Sequence, residues 1–140
     1  MSEATHMNAT ATIPNIFHFV FGLQEQTEPF HMMYYLCLES CIEVNRPDEV
    51  HFHYYHEPYG IWWDRVKPRL HLRRIGTEEF VCTYNYEDPL VARFRYAHMA
   101  DFARLRILME EGGIYADIDT LFVRPFPVSW LSREFILGRE

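Results

Sequence analysis

The stretch AHMADFARLRILMEEGGIYADIDTLFVRPF, residues 97–126, decides the fold. Its first half completes a long run, LVARFRYAHMADFARLRILMEE (90–111), with apolar residues at helical spacing. Gly112-Gly113 stops that run, because glycine takes the left-handed backbone of a helix C-terminus without a Cβ penalty. IYADIDTLFV (114–123) then reads as a strand, ended by Pro125 and Pro127.

Upstream, the same alternation recurs. IPNIFHFVF (13–21), EVHFHYYH (49–56) and LHLRRI (70–75) read as strands, each followed by glycine or proline. FHMMYYLCLESCIEVN (30–45) reads as a helix stopped at Asn45-Arg46-Pro47, and IWWDRVK (61–67) as one or two helical turns closed by Pro68. Residues 77–89 form a looser polar stretch, and residues 134–138 a short closing strand. The order β-α-β-(α)-β-α-β-β predicts an α/β fold: a mostly parallel sheet with helices on both faces. Residues 1–12 read as a disordered lead, and residues 13–140 as one domain, the number expected at roughly 150 residues per domain.

Composition narrows the function. Apolar residues are 49% and charged residues 24%, which excludes a disordered, collagenous or coiled-coil chain. The net charge of -7 and the lack of a basic stripe argue against a nucleic-acid partner. No run nears the ~18 apolar residues of a membrane helix. The start has no cationic segment before an apolar core, so no signal peptide is predicted, and peripheral membrane contact stays open. Cys37 and Cys41, four apart in a helical run, read as buried small hydrophobes; Cys82 has no partner at metal spacing. Reduced thiols predict a cytoplasmic setting.

Asp117 and Asp119 carry the strongest chemical signal. On a strand, residues i and i+2 share a face. Two carboxylates there repel, and their pKa values rise unless a cation sits between them. Hard oxygen ligands suit Mg²⁺ or Mn²⁺, which keep waters and take phosphates as further ligands. Taken alone, D-x-D also fits two solvated turn carboxylates. Asp101 and Arg104, three apart on a helix, lie among Ala97, Ala100, Leu105 and Leu108. A charged pair toward the core is costly unless it serves a polar ligand; the competing reading is a local salt bridge. His51 and His53 share a strand face, but without a fourth ligand or a separated partner they read as structural. Trp62-Trp63 reads as a packed amphipathic turn.

Residues 97–126 resemble the signature of glycosyltransferases with a DXD sugar-binding motif. That group includes initiating mannosyltransferases, capsular-polysaccharide transferases and clostridial glucosylating toxins. The family's opening strand, roughly I-P-x-x-x-H-x-x-W-x-G, is resembled by IPNIFHFVFG at 13–22. The resemblance implies a GT-A-like, Rossmann-like fold, a UDP- or GDP-hexose donor, and Mn²⁺ or Mg²⁺. It implies Asp119 as the direct metal ligand and Asp117 as the contact to the ribose and the metal's water shell. It places Tyr115 near the diphosphate or sugar, and Asp101 and Arg104 on the sugar hydroxyls. Phe21 falls where relatives carry a base-stacking Trp, and His18 matches a structural first-strand His. Arg93 or Arg95 would help neutralise the diphosphate, or lie on the surface. Asp101, Arg104 and Asp117 are thus the candidate catalytic residues.

Retention of configuration is also implied. No second carboxylate pair is evident for a double displacement, so a front-face route is expected. The acceptor would be a glycan, lipid or protein. Members run well beyond this length, so residues 13–140 correspond to the family's N-terminal, donor-binding part. Two other readings stay open: a noncatalytic nucleotide-sugar-binding module, and a metal-dependent phosphoesterase.

Overall fold

The computed structural model describes residues 12–76 and 87–138. In chain order these form β1 (Ile16–Phe21), α1 (Met32–Ser40) with a π turn (Cys41–Asn45), β2 (Glu49–Tyr54), α2 (Ile61–Val66) with a 3₁₀ turn (Lys67–Arg69), and β3 (His71–Arg74). Then follow α3 (Pro89–Ala92), α4 (Arg95–Glu111), β4 (Ile114–Tyr115) and a 3₁₀ turn (Val128–Ser132). The sheet order is β3-β2-β1-β4 and every pairing is parallel. Most of the loose stretch, the lead up to Ala11, and Cys82 lie outside the described residues.

Alternation along β1 and β2 explains the layers. Phe17 and Phe19, with Val50 and Phe52, are buried on one face with Phe30, Leu38, Trp63 and Val66. Each such side chain contributes ~1.5–3 kcal/mol on leaving water. Trp63 packs 4.8 Å from Phe52 and 5.4 Å from Phe30, so the tryptophan pair closes the core as read. The opposite face carries Val20 against Met99, Ala103 and Ile107 of α4. It also carries His18, His51 and His53, all buried. Cys37 and Cys41 are buried and free, and burial pushes the Cys41 thiol up to about 12.

Three expectations change. The run 90–111 is two helices: Asp88 caps α3 by accepting from the Leu90 amide at 2.8 Å, and α4 starts afresh at Arg95. The strand expected at 114–123 stops at Tyr115. Its remaining backbone donors find other partners. The Ala116 amide still reaches the His18 carbonyl at 3.1 Å, and the Thr120 amide bonds back to the Asp117 carbonyl at 2.9 Å. The amides of Phe122 and Phe126 donate to Ser40 Oγ (3.0 Å) and Asn45 Oδ1 (2.8 Å). Side chains at the end of α1 thus replace a neighbouring strand. Residues 134–138 form no strand; the nearby ordered contact is the Ile13 amide on the Leu131 carbonyl at 2.6 Å.

The glycine turn is needed sterically. Gly113 has φ +91°, and a Cβ there would lie 2.7 Å from the Ile16 carbonyl oxygen and 2.8 Å from His18 Nε2. This close approach sets α4 down across β1 and aims β4 along it.

Candidate functional site

β4 runs parallel to β1 and ends at Tyr115 beside His18, so the segment after it leaves the sheet toward the carboxyl side, where open α/β sheets bind ligands. Four of the predicted residues gather there. Arg104 Nη2 donates to Asp101 Oδ1 at 2.6 Å. The Arg104 guanidinium lies 5.2 Å over the Tyr115 ring. Tyr115 and Asp117 both line the same cleft, and the Asp117 charge acts on the Tyr115 hydroxyl. Burial first, and then the Asp117 charge, push the Tyr115 hydroxyl up, so it stays protonated.

Arg104, Tyr115, Asp117 and Thr120 form the polar wall of a cleft of about 660 Å³, faced by Phe122 and Phe126. A nucleotide-sized ligand fits that scale.

Asp101 and Arg104 do not point toward the core. Their side chains are 57% and 36% exposed. The buried stripe of α4 is Met99, Ala103 and Ile107, which turns Asp101 outward. No desolvation cost therefore requires a ligand for the pair; the cleft position of Arg104 is what distinguishes it. Asp117 and Asp119 do not share a strand face either. Both are exposed, and Asp119 sits in a turn beyond the strand end. Asp117 lines the cleft and Asp119 does not. The Cys37 thiol of α1 is pushed up by burial and, secondarily, by the Asp119 charge, which places Asp119 toward α1.

The donor atoms are of the kind a hard cation takes, although only Asp117 lines the cleft. Two exposed carboxylates supply oxygen, and neither belongs to a three-residue His/Cys/Asp/Glu cluster among the described residues. An Mg²⁺ or Mn²⁺ ion held there would draw further ligands from water and phosphate.

Phe21 closes β1 and packs 5.3 Å from Phe30 and 5.2 Å from Tyr34. It also borders a second cleft of about 270 Å³ with Tyr96 and Ala100, one turn of α4 from the arginine pair. Arg93 and Arg95 are exposed and border neither cleft; Arg93 lies 4.7 Å over Phe94. The grouping missed from sequence is His18 with His51 and His53. The His-Phe-His alternation of β2 and the lone histidine of β1 were its signal, and parallel register supplies the separated partner by setting His18 beside His51.

No helix among the described residues is long and apolar enough to cross a membrane. The family described as a glycosyltransferase sugar-binding region containing a DXD motif matches residues 34–136. The chain is 35% identical over 121 residues to glucan organizing enzyme 1 of Cryptococcus neoformans var. grubii, covering 81% of this chain and 31% of that protein. Its fold is similar to that of the PaToxG glycosyltransferase at TM-score 0.52 and 20% identity, over 82% of this chain and 45% of that one. The chain therefore spans less than half of either relative. A match across residues 34–136, on a parallel sheet of the expected GT-A-like kind, makes the chain a member of the DXD-containing glycosyltransferase family.

Proposed function

We propose that this chain binds a UDP- or GDP-hexose with Mn²⁺ or Mg²⁺ and transfers the hexose with retention of configuration. The observation that carries this reading is that Arg104, Tyr115 and Asp117 line one cleft after β4, with Arg104 stacked on Tyr115 and holding Asp101.

In this reading Asp119 holds the cation directly. Asp117 holds the ribose and the cation's water shell. A bound divalent ion supplies charge stabilisation for the departing diphosphate. Arg104 and Asp101 orient the sugar through its hydroxyls, and a planar guanidinium gives a two-point contact that an ammonium does not. Phe21 offers a flat face for the base, with its ring anchored by Phe30 and Tyr34. A front-face route needs no further carboxylate pair.

The acceptor is a glycan, lipid or protein. The name of the Cryptococcus relative, a glucan organizing enzyme, supports polysaccharide biosynthesis as the setting. Buried free thiols at Cys37 and Cys41 suit the cytoplasm.

The test is release of nucleoside diphosphate and hexose from UDP- and GDP-hexoses with Mn²⁺, with and without acceptors. Metal-dependent release supports the reading. Binding without release indicates a noncatalytic module, and equal attack on simple phosphate esters indicates a phosphoesterase.

A further inference from the structure

Beneath α4, on the sheet face away from the aromatic core, three histidines converge. The ligand-capable atoms of His18, His51 and His53 all lie within 4.8 Å of one another, and all three residues are buried. We propose that His18, His51 and His53, with the carboxylate of Glu111, form a structural Zn²⁺ site distinct from the cleft that holds Asp117.

The outer hydrogen bonds leave the inner lone pairs free. His18 Nε2 donates to the Gly112 carbonyl at 2.9 Å, so its Nδ1 carries the lone pair that faces the cluster. His51 Nε2 bonds Glu49 Oε2 at 2.5 Å, which turns its Nδ1 inward. Glu111 Oε1 accepts from Arg73 at 2.7 Å, leaving Oε2 toward His51. A carboxylate or carbonyl behind the imidazole is the arrangement that orients metal-bound histidines.

The spacing matches. Tetrahedral zinc with ~2.0–2.1 Å bonds to nitrogen sets ligand atoms ~3.3 Å apart. His18 Nδ1 lies 3.0 Å from His53 Nε2, and His51 Nδ1 lies 3.5 Å from Glu111 Oε2. The His18–His53 edge is therefore close to formed, and Glu111, near His51 but outside the mutual spacing of the three histidines, closes on them when the ion binds. Binding brings these pairs together, and the His53 proton moves from Nε2 to Nδ1.

One inward atom makes no hydrogen bond. His51 is 6% exposed, and its Nδ1 is buried without a hydrogen-bond partner. An orphaned buried acceptor costs ~1–3 kcal/mol, and a cation would satisfy it. Burial also holds His18 and His53 below the usual imidazole range, so both are neutral and ready to ligate at neutral pH. A cleft of about 350 Å³ bordered by His53, Arg73, Ile107 and Glu111 gives an entry path. Nitrogen donors select Zn²⁺ over the Mg²⁺ or Mn²⁺ suited to Asp117 and Asp119. A metal here would tie β1 and β2 to the end of α4, the segment that leads through Gly112-Gly113 into Asp117.

The test uses the untagged chain, stripped with chelator and titrated with Zn²⁺ against a chromophoric competitor. One equivalent is expected, with a rise in thermal midpoint and no competition from excess Mn²⁺. Co²⁺ should give the visible spectrum of a tetrahedral site. Glu111→Gln should weaken Zn²⁺ binding at least 10-fold, and His53→Gln at least 100-fold, in protein whose far-ultraviolet circular dichroism is unchanged. Glu111 is partly exposed, so its variant keeps the test valid if His53→Gln misfolds. Absence of stoichiometric Zn²⁺ binding would overturn the proposal. So would loss of binding in His71→Ala with none in Glu111→Gln, which would move the metal to the neighbouring trio Glu49, His51 and His71. Retention of binding in Asp119→Asn is expected, and its loss there would assign the ion to the Asp117–Asp119 carboxylates instead.

Discussion

The guanidinium of Arg104 lies 5.2 Å over the ring of Tyr115, while its Nη2 holds Asp101. An exposed ion pair at i,i+3 contributes only ~0.3–0.5 kcal/mol on its own. Stacking on Tyr115 is what keeps the arginine along the cleft wall.

That stacking separates a ligand contact from a stabilising one. Arg104→Lys and Asp101→Asn should each weaken nucleotide-sugar binding by ~1–3 kcal/mol, the range for charged hydrogen bonds. Affinity for the free nucleoside diphosphate should hardly change, and the thermal midpoint should move little because the pair is exposed. Titration of both ligands into each variant checks this. Equal losses for both ligands would remove the sugar contact from the account.

Gly113→Ala should destabilise the chain by more than ~1 kcal/mol. The left-handed backbone alone costs a non-glycine residue ~1–2 kcal/mol, and the new Cβ would meet the Ile16 carbonyl. Urea unfolding measures it. An unchanged midpoint would mean that the turn has other conformations available.

Stability of the metal-free chain should fall in acid below neutrality. Burial, and then His18 and His51, hold His53 down to about 3, against an ordinary histidine value of 6.5. Its folded pKa lies below its unfolded one, so the unfolded chain binds more protons between those values. The stabilisation is fully present above about 6.5 and is lost as pH falls toward about 3. Glu49, lowered by its bond to His51, acts in the same direction. Denaturant midpoints in chelator at pH 7.5 and 5 should differ, and less so in His53→Gln. A flat profile in the wild-type chain would contradict the buried-histidine account.

Ser40 and Asn45 should control the segment after the site. Each accepts one backbone amide that would otherwise lack a partner, from Phe122 and Phe126. Ser40→Ala or Asn45→Ala should cost ~1–3 kcal/mol each by leaving a donor unsatisfied. Amide hydrogen exchange at Phe122 and Phe126 should accelerate with it, and unchanged exchange would assign the segment's order to packing.

Local signals made most of the fold legible. The FHFVF and VHFHY alternations, together with the glycine turn at 112–113, specify strands, two faces and the αβ order without tertiary information. The parallel sheet follows from that order. What stayed hidden depended on distant partners. Nothing local distinguishes a strand over 114–123 from an extended segment whose amides are taken by Ser40 and Asn45. The outward turn of Asp101 follows from which of several apolar spacings in α4 meets the sheet. The histidine cluster needed the β1–β2 register, which a pair at 51 and 53 does not reveal alone.

The central claim is that Asp117 and Asp119 bind donor through a divalent cation. Isothermal titration of the chain with UDP- and GDP-hexoses, in Mn²⁺ and in chelator, tests it most directly. The account predicts binding of one donor class in Mn²⁺, its loss in chelator, and a larger loss in Asp119→Asn than in Asp117→Asn. Equal affinity in chelator, or an Asp119→Asn variant that binds as tightly as the parent chain, would contradict it.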